Sequence, residues 1–133
     1  MKITKDFEKL TRIANGDYML EGDLICEDSL EIELDDRLVV RGMVVARKEI
    51  RVVRTLIAGE GIEAGEGIEA GWGIKAGEGI KAKTFISSKK RIFAGISLYR
   101  TTKSCNKKIE CDELREGEIC YGDLIITKAE EKK

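Results

Sequence analysis

The sequence predicts an all-β fold in which short parallel strands coil into a three-sided β-helix. Residues 59–82 read GEGIEAGEGIEAGWGIKAGEGIKA, four near-copies of a six-residue unit. Beyond this stretch, an apolar residue recurs at every sixth position from Leu20 to Leu98. A second small or apolar residue follows most of them two positions later. A spacing of two is the alternation of a β-strand, whereas a helix needs spacings of three and four.

The repeated strands are expected to coil, because a new one begins every six residues in the same phase, which hairpins cannot satisfy. If three strands complete one turn, each residue stacks on the residue about 18 positions later, and neighbouring backbones pair about 4.8 Å apart. Glycines fall at the corners, where the chain needs a positive φ or a close approach. We therefore expect an unbroken register over residues 18–100, with about four to five turns around an aliphatic core.

The chain length predicts one domain over residues 1–133. Its first part, residues 1–17, is expected to be a short capping helix. Thr4 is a suitable N-cap residue and Gly16 a suitable terminator. The apolar stripe between them consists of Phe7, Leu10 and Ile13.

The solenoid proper is expected to span residues 18–100, with a C-terminal cap and tail over residues 101–133. In this last part the six-residue register is lost. Apolar residues instead recur at a spacing of five, at Ile109, Leu114, Ile119 and Leu124. We expect two or three irregular strands that close this end of the core, followed by a solvated tail.

The repeated phrase I-x-A-G-x-G resembles the bactofilin type of hexapeptide-repeat β-solenoid, and also the Ile-x-Ala-Gly repeat proteins of bacteria and their phages. The resemblance covers residues 18–100 and implies a right-handed, three-sided solenoid. The left-handed acyltransferase solenoids differ, because they carry a small residue two positions before the aliphatic one. This sequence has larger residues there, namely Glu60, Glu66, Trp72 and Glu78.

The composition argues against an enzyme. The chain has 24 basic and 25 acidic residues but no histidine. Hexapeptide acyltransferases use a histidine as general base, and solenoid carbonic anhydrases bind zinc through histidines, so neither activity is expected. Ser87 and Ser88 have no neighbouring base in the sequence. We therefore expect no catalytic residue and no cofactor.

The four cysteines, Cys26, Cys105, Cys111 and Cys120, are interpreted as structural thiols of a reducing compartment. No pair has the two-residue spacing of a zinc knuckle. A zinc site and a Cys105–Cys111 disulfide are the alternatives. With no apolar run long enough for a signal peptide or a membrane span, a cytoplasmic protein is expected, in a bacterial or phage-infected cell.

One outward face carries a candidate self-association patch. Stacking at 18 residues would place Glu21, Val39, Ile57, Lys75 and Phe93 in one outward column. Val39, Ile57 and Phe93 would form an exposed apolar stripe, which favours a two-fold dimer. Scattered surface hydrophobic residues are the alternative. Because both ends are expected to be capped, we predict a dimer rather than a filament.

Trp72 is the one aromatic residue between the repeated glycines, where the other copies carry glutamate, and it lies between Gly71 and Gly73. Two interpretations are open. The ring lies over neighbouring Arg or Lys side chains, or it is a candidate anchor for a partner, because interface hot spots favour exposed tryptophan.

Charge is segregated along the sequence. Residues 21–36 contain eight carboxylates and no base. Residues 80–109 contain nine bases and no acid, a candidate basic patch formed by Lys81, Lys83, Lys89, Lys90, Arg91, Arg100, Lys103, Lys107 and Lys108. Such a block is most often a solvated face, and direct contact with nucleic acid is not expected.

Together these patterns favour a non-enzymatic interaction or assembly module that acts through lateral self-association. The alternative is an inhibitor encoded by a phage or mobile element, such as an anti-CRISPR protein, that binds a host nucleoprotein or nuclease. Self-association of the purified protein favours the first, and a monomer that binds a host complex favours the second.

Overall fold

The structure, a computed structural model, describes residues 1–13, 16–95 and 107–127. Within those ranges the secondary structure is β-strand, with no helix. The strands are β1 (Lys2–Ile3), β2 (Thr11–Arg12), β3 (Tyr18–Leu20), β4 (Leu24–Cys26), β5 (Leu30–Ile32), β6 (Leu38–Val40), β7 (Val44–Ala46), β8 (Ile50–Val52), β9 (Thr55–Ala58), β10 (Ile62–Ala64), β11 (Ile68–Ala70), β12 (Gly73–Ala76), β13 (Ile80–Ala82), β14 (Phe85–Ala94), β15 (Lys108–Cys111), β16 (Glu113–Tyr121) and β17 (Asp123–Ile126).

The chain is a parallel β-solenoid of about five turns, which confirms the prediction of an all-β fold built from coiled parallel strands. Successive strands enter three ladders in turn. Ladder 1 contains β3, β6, β9, β12 and the end of β14. Ladder 2 contains β4, β7, β10, β13, β15 and β17. Ladder 3 contains β5, β8, β11 and the start of β14, and β16 pairs along the whole of β14.

The core is a set of stacked aliphatic side chains. On ladder 1, Leu38 pairs with Leu56, Leu56 with Ile74, and Ile74 with Ile92, at steps of 18 residues. All four are essentially fully buried. Burying one such side chain is worth roughly 1.5 to 3 kcal/mol, so the repeated column stabilises the coil along its length. Two positions later, small residues such as Ala58 and Ala76 complete each layer.

The six-residue register is not unbroken, which corrects the prediction. Leu38 pairs with Tyr18, 20 residues earlier, and not with Leu20. In the first turn, five residues (33–37) separate the last inward residue of ladder 3, Ile32, from the first inward residue of ladder 1, Leu38. In the next turn, only three residues (53–55) separate Val52 from Leu56. A slip of two residues preserves the alternation of inward and outward side chains, so the apolar pattern alone does not reveal it.

Polar contacts hold the longer first corner. The Tyr18 hydroxyl donates to Asp35 Oδ1 at 2.8 Å, and Arg37 pairs with Asp17 at 3.0 Å. The hydrogen bond lowers the pKa of Asp35, and the same bond, together with burial, raises the pKa of Tyr18. Leu34 fills the extra space inside the corner.

The N-terminal helix was predicted wrongly. Residues 1–13 instead form two short strands joined by turns. In these turns Phe7 N donates to Thr4 O at 2.9 Å and Leu10 N donates to Phe7 O at 3.0 Å. Strand β1 extends ladder 3 in parallel, and β2 pairs antiparallel with β3. These two β-turns let the chain lay Phe7 and Leu10 against the core, while β1 and β2 pair with the sheet edges.

The C-terminal strands continue the ladders. Ile109 pairs with Ile80 on ladder 2, and Leu124 then pairs with Ile109. Leu114 pairs with Ile86 and Ile119 with Ile92 on the other two ladders. The five-residue spacing therefore makes one shorter turn of the same coil, with register shifts along β16. Leu124 is still 41% exposed, because none of the described strands stacks beyond it.

The corner glycines permit close backbone contact between turns. A Cβ at Gly65 would collide with the Arg47 carbonyl oxygen of the preceding turn, and one at Gly71 would collide with that of Val53. Gly61 is different, because a Cβ there would lie 3.3 Å from the Gly79 carbonyl oxygen. The glycine after each alanine is therefore a packing requirement at these two corners.

We expect Gly65→Ala to lower the free energy of unfolding by roughly 1 to 3 kcal/mol, because the methyl group forces two turns apart. Gly61→Ala is the matched control and should change it by about 0.5 kcal/mol or less. Urea unfolding followed by circular dichroism measures both. Equal losses for the two variants would contradict the close-contact explanation.

The stability that the Tyr18–Asp35 hydrogen bond contributes is expected to depend on pH. The Tyr18–Asp35 bond contributes fully between the ordinary pKa values of the two groups, about 4 and about 10. Its contribution is lost as pH falls through the lowered pKa of Asp35, or rises through the raised pKa of Tyr18. Tyr18→Phe should therefore lower the urea midpoint most near neutral pH, and the difference from wild type should shrink below about pH 4.

The control for this pH dependence is Asp35→Asn. In that background, adding Tyr18→Phe should give a difference that does not vary between pH 3 and 7. A wild-type difference that is equally constant over this range would show that the hydrogen bond does not carry the effect.

Candidate interaction surface

An open groove of about 770 Å³ runs along the outer side of ladder 1. Its apolar floor includes Met19, Val39 and Ile57, and Ile13 lies at the N-terminal end. Trp72 and Phe93 border it towards the C-terminal end. Charged residues also line it, namely Asp17, Arg37, Lys75, Lys90 and Arg91.

The predicted self-association residues share this face. Val39 pairs with Ile57, Ile57 with Lys75, and Lys75 with Phe93, so the predicted column from Val39 to Phe93 is present. Its first member is Met19 rather than Glu21, because the first turn is two residues longer. Val39 and Ile57 are only 7% and 6% exposed, so they form the floor of the groove rather than a raised stripe.

Sequence reasoning missed Met19, Ile13 and the Asp17–Arg37 pair. Met19 belongs to the column because the register of the first turn is shifted by two residues, and the periodic pattern of the sequence does not reveal that shift. The other three lie outside the repeated strands, in segments that contain no six-residue signal. Asp17 and Arg37, which pair with each other at this corner, are two of the charged residues that line the groove.

Trp72 is 52% exposed at the corner that precedes ladder 1. Its backbone N donates to Arg54 O at 2.9 Å, and Lys90 N donates to Trp72 O. The Arg54 guanidinium lies 5.8 Å from the ring centroid and Lys90 Nζ lies 5.2 Å from it. The ring therefore lies between two cations, as one sequence interpretation predicts, while half of it stays open to a partner.

The basic patch is only partly described. Arg100, Lys103 and Cys105 lie outside the described residues. Lys81 lies on the outer side of ladder 2 beside Glu110, and Arg91 lies beside Glu118. None of the described ion pairs involves the remaining bases, which are Lys81, Lys83, Lys89, Lys90, Arg91, Lys107 and Lys108.

The acidic run has a different environment. Stacking places it against bases of the second turn, where Arg47 pairs with Glu27 at 2.9 Å and Lys48 with Asp28 at 3.4 Å. Ser29 N and Lys48 lower the pKa of Asp28. Because bases of the following turn pair with some of these carboxylates, the surface around residues 21–36 is less negative than the sequence alone suggests.

The described cysteines are dispersed. Cys26 is buried, and its thiol donates to the Ser29 carbonyl at 3.3 Å. Cys111 is buried on ladder 2, and this burial raises the pKa of its thiol. Cys120 is exposed on β16. Ser88 is also buried, and its hydroxyl donates to the Trp72 carbonyl at 3.0 Å, which gives it a structural partner.

Comparisons with protein-family models, with curated proteins and with solved structures return no match. Among the described residues, no group of three or more His, Cys, Asp or Glu is placed to hold a metal ion. The same residues contain no helix long and apolar enough to cross a membrane.

Proposed function

We propose that the protein is a non-enzymatic interaction module that associates laterally with a second copy through the outer side of ladder 1. The observation that carries this proposal is the outward column Met19, Val39, Ile57, Lys75 and Phe93. On ladder 3 the equivalent column is polar, with Glu31, Arg51, Glu69 and Ser87. Outward positions of a solenoid need no apolar residue, so four of them in one column favour a binding surface.

We also propose that the solenoid is right-handed and three-sided. The rotation of successive strands through three ladders, and the resemblance of the I-x-A-G-x-G phrase to bactofilin-type solenoids, support a right-handed prism with three faces. Ladder 1 then presents one face to a partner. A stable interface of this kind removes about 800 Å² of surface per partner from water, which requires residues around the groove as well as its floor.

An inhibitor that binds a host nucleoprotein or nuclease is the second candidate. The observation that favours it is the group of cations beside Trp72, which make no ion pair with described residues. This candidate expects a monomer whose binding to a host complex weakens steeply as salt concentration rises. Trp72→Ala should weaken that binding while leaving the protein monomeric and folded.

For self-association, Ile57→Asp should convert a wild-type dimer to a monomer, because the new carboxylate would be buried against apolar groups. Phe93→Asp is a second test at a less buried position, in case Ile57→Asp reduces folding. Size-exclusion chromatography with light scattering gives the mass, and circular dichroism confirms that each variant is folded.

The matched control is Ile25→Asp, which changes an outward isoleucine on ladder 2 that is 58% exposed. It should leave the dimer unchanged. Wild-type protein that is monomeric at all concentrations would overturn lateral self-association. A dimer that survives both Ile57→Asp and Phe93→Asp would remove this face from the interface.

A further inference from the structure

Beside β9 and β12, two corners of opposite charge border the outer side of ladder 1. The corner before its strands carries Arg54, Trp72, Lys90 and Arg91, which we call the cationic edge. Backbone hydrogen bonds stack the first three in successive turns. The corner after its strands carries Glu60 and Glu78, which we call the acidic edge, and Glu78 N donates to Glu60 O at 3.3 Å.

The charges of both edges are available to a partner. Arg54, Lys90 and Arg91 are exposed and take part in none of the described ion pairs, and the same holds for Glu60 and Glu78. Elsewhere in the coil, exposed charges of neighbouring turns do pair, as Arg47 and Glu27 do at 2.9 Å. Beside β9 and β12 the corners of ladder 1 instead stack like charges, so Arg54 and Lys90 lie on one side and Glu60 and Glu78 on the other. Beside β3 and β6, by contrast, Asp17 pairs with Arg37 and Glu21 with Arg41 within the chain.

The strands of ladder 1 set the relative heights of the two edges. Strand β9 begins one residue after Arg54 and ends two residues before Glu60. Strand β12 connects Trp72 to Glu78 in the same way, one turn further on. A cationic or aromatic residue on one edge is therefore level with a carboxylate on the other.

Two kinds of two-fold axis can bring two such faces together. If the axis is perpendicular to the solenoid axis, each edge meets its own kind, so Arg54 and Lys90 approach the cations of the second copy and the glutamates approach glutamates. If the axis is parallel to the solenoid axis, the cationic edge of each copy meets the acidic edge of the other at matching height. Like-charge contacts across an interface are strongly unfavourable, whereas complementary ones fix orientation.

We propose that two copies pair through ladder 1 about a two-fold axis parallel to the solenoid axis, with the cationic edge of each copy against the acidic edge of the other. This inference rests on the proposed self-association and adds its orientation. Arg54 faces Glu60 of the second copy, and Trp72 packs beside Glu78 of the second copy. Lys75, the one charged residue in the central column, has a side chain long enough to turn towards the same carboxylate.

Charge reversal tests the orientation. Glu60→Lys with Glu78→Lys makes both edges cationic, and Arg54→Glu with Lys90→Glu makes both acidic. In the proposed dimer each double variant should raise the dissociation constant about tenfold or more, because like charges then meet at both borders. The quadruple variant exchanges the two edges, restores opposite charges at both borders, and should recover most of the wild-type affinity.

The matched control is Glu63→Lys with Glu66→Lys, which reverses two exposed carboxylates away from ladder 1 and should leave the dissociation constant unchanged. Sedimentation equilibrium at low salt measures the affinities, with circular dichroism as the folding check. If the dimer forms but both edge variants match wild type, the parallel arrangement is overturned while self-association stands. If wild type stays monomeric, the proposed function itself is overturned.

Discussion

The whole structure depends on one constraint: every turn must place an aliphatic side chain directly over that of the previous turn while the backbones stay within hydrogen-bonding distance. Ile74 between Leu56 and Ile92 satisfies it on ladder 1, as Ile62 does on ladder 2. The core is narrow, so β10, β11 and β13 each place one large and one small residue inward, an isoleucine and an alanine, whereas β5 buries two large ones, Leu30 and Ile32. Because the turns approach so closely, corners such as Gly65 and Gly71 have no room for a Cβ.

This constraint leaves the outward positions unconstrained by folding. Most of them carry Glu, Lys or Arg, which keeps the solenoid hydrated. An outward Val39 or Ile57, or a Trp72 at a corner, contributes little that the coil itself requires. Departures from the polar pattern are therefore the best guide to binding surfaces in such a fold, and on ladder 1 four of them, Met19, Val39, Ile57 and Phe93, line one groove.

Because turns stack, the distribution of charge on the surface differs from its distribution along the sequence. The acidic residues of the first turn meet Arg47 and Lys48 of the second. The basic residues around β14 meet the carboxylates of β16 across one ladder, although no close ion pair forms there among the described residues. A second charge contrast runs across ladder 1, from Arg54 and Lys90 to Glu60 and Glu78, and none of these four residues takes part in a described ion pair.

Sequence alone determined the class of fold, the inward residues from Leu38 to Ile92, and the column from Val39 to Phe93, because a strict six-residue repeat leaves few other ways to bury an isoleucine every sixth position. It also offered an Arg or Lys neighbour for Trp72, and the structure identifies Arg54 and Lys90 as those neighbours. Only the tertiary structure decided the rest. The longer first corner depends on Tyr18 and Asp35, which meet across a whole turn.

The N-terminal segment shows the same limit. A helix-like apolar spacing in Phe7, Leu10 and Ile13 yielded to turns, because an open sheet edge offers backbone partners that an isolated short helix lacks. The first residue of the groove floor likewise came only from the structure, because the two-residue shift in register places Met19 there instead of Glu21. Local periodicity specifies which side of a strand faces inward, whereas register between distant turns is set by contacts that no short window of sequence contains.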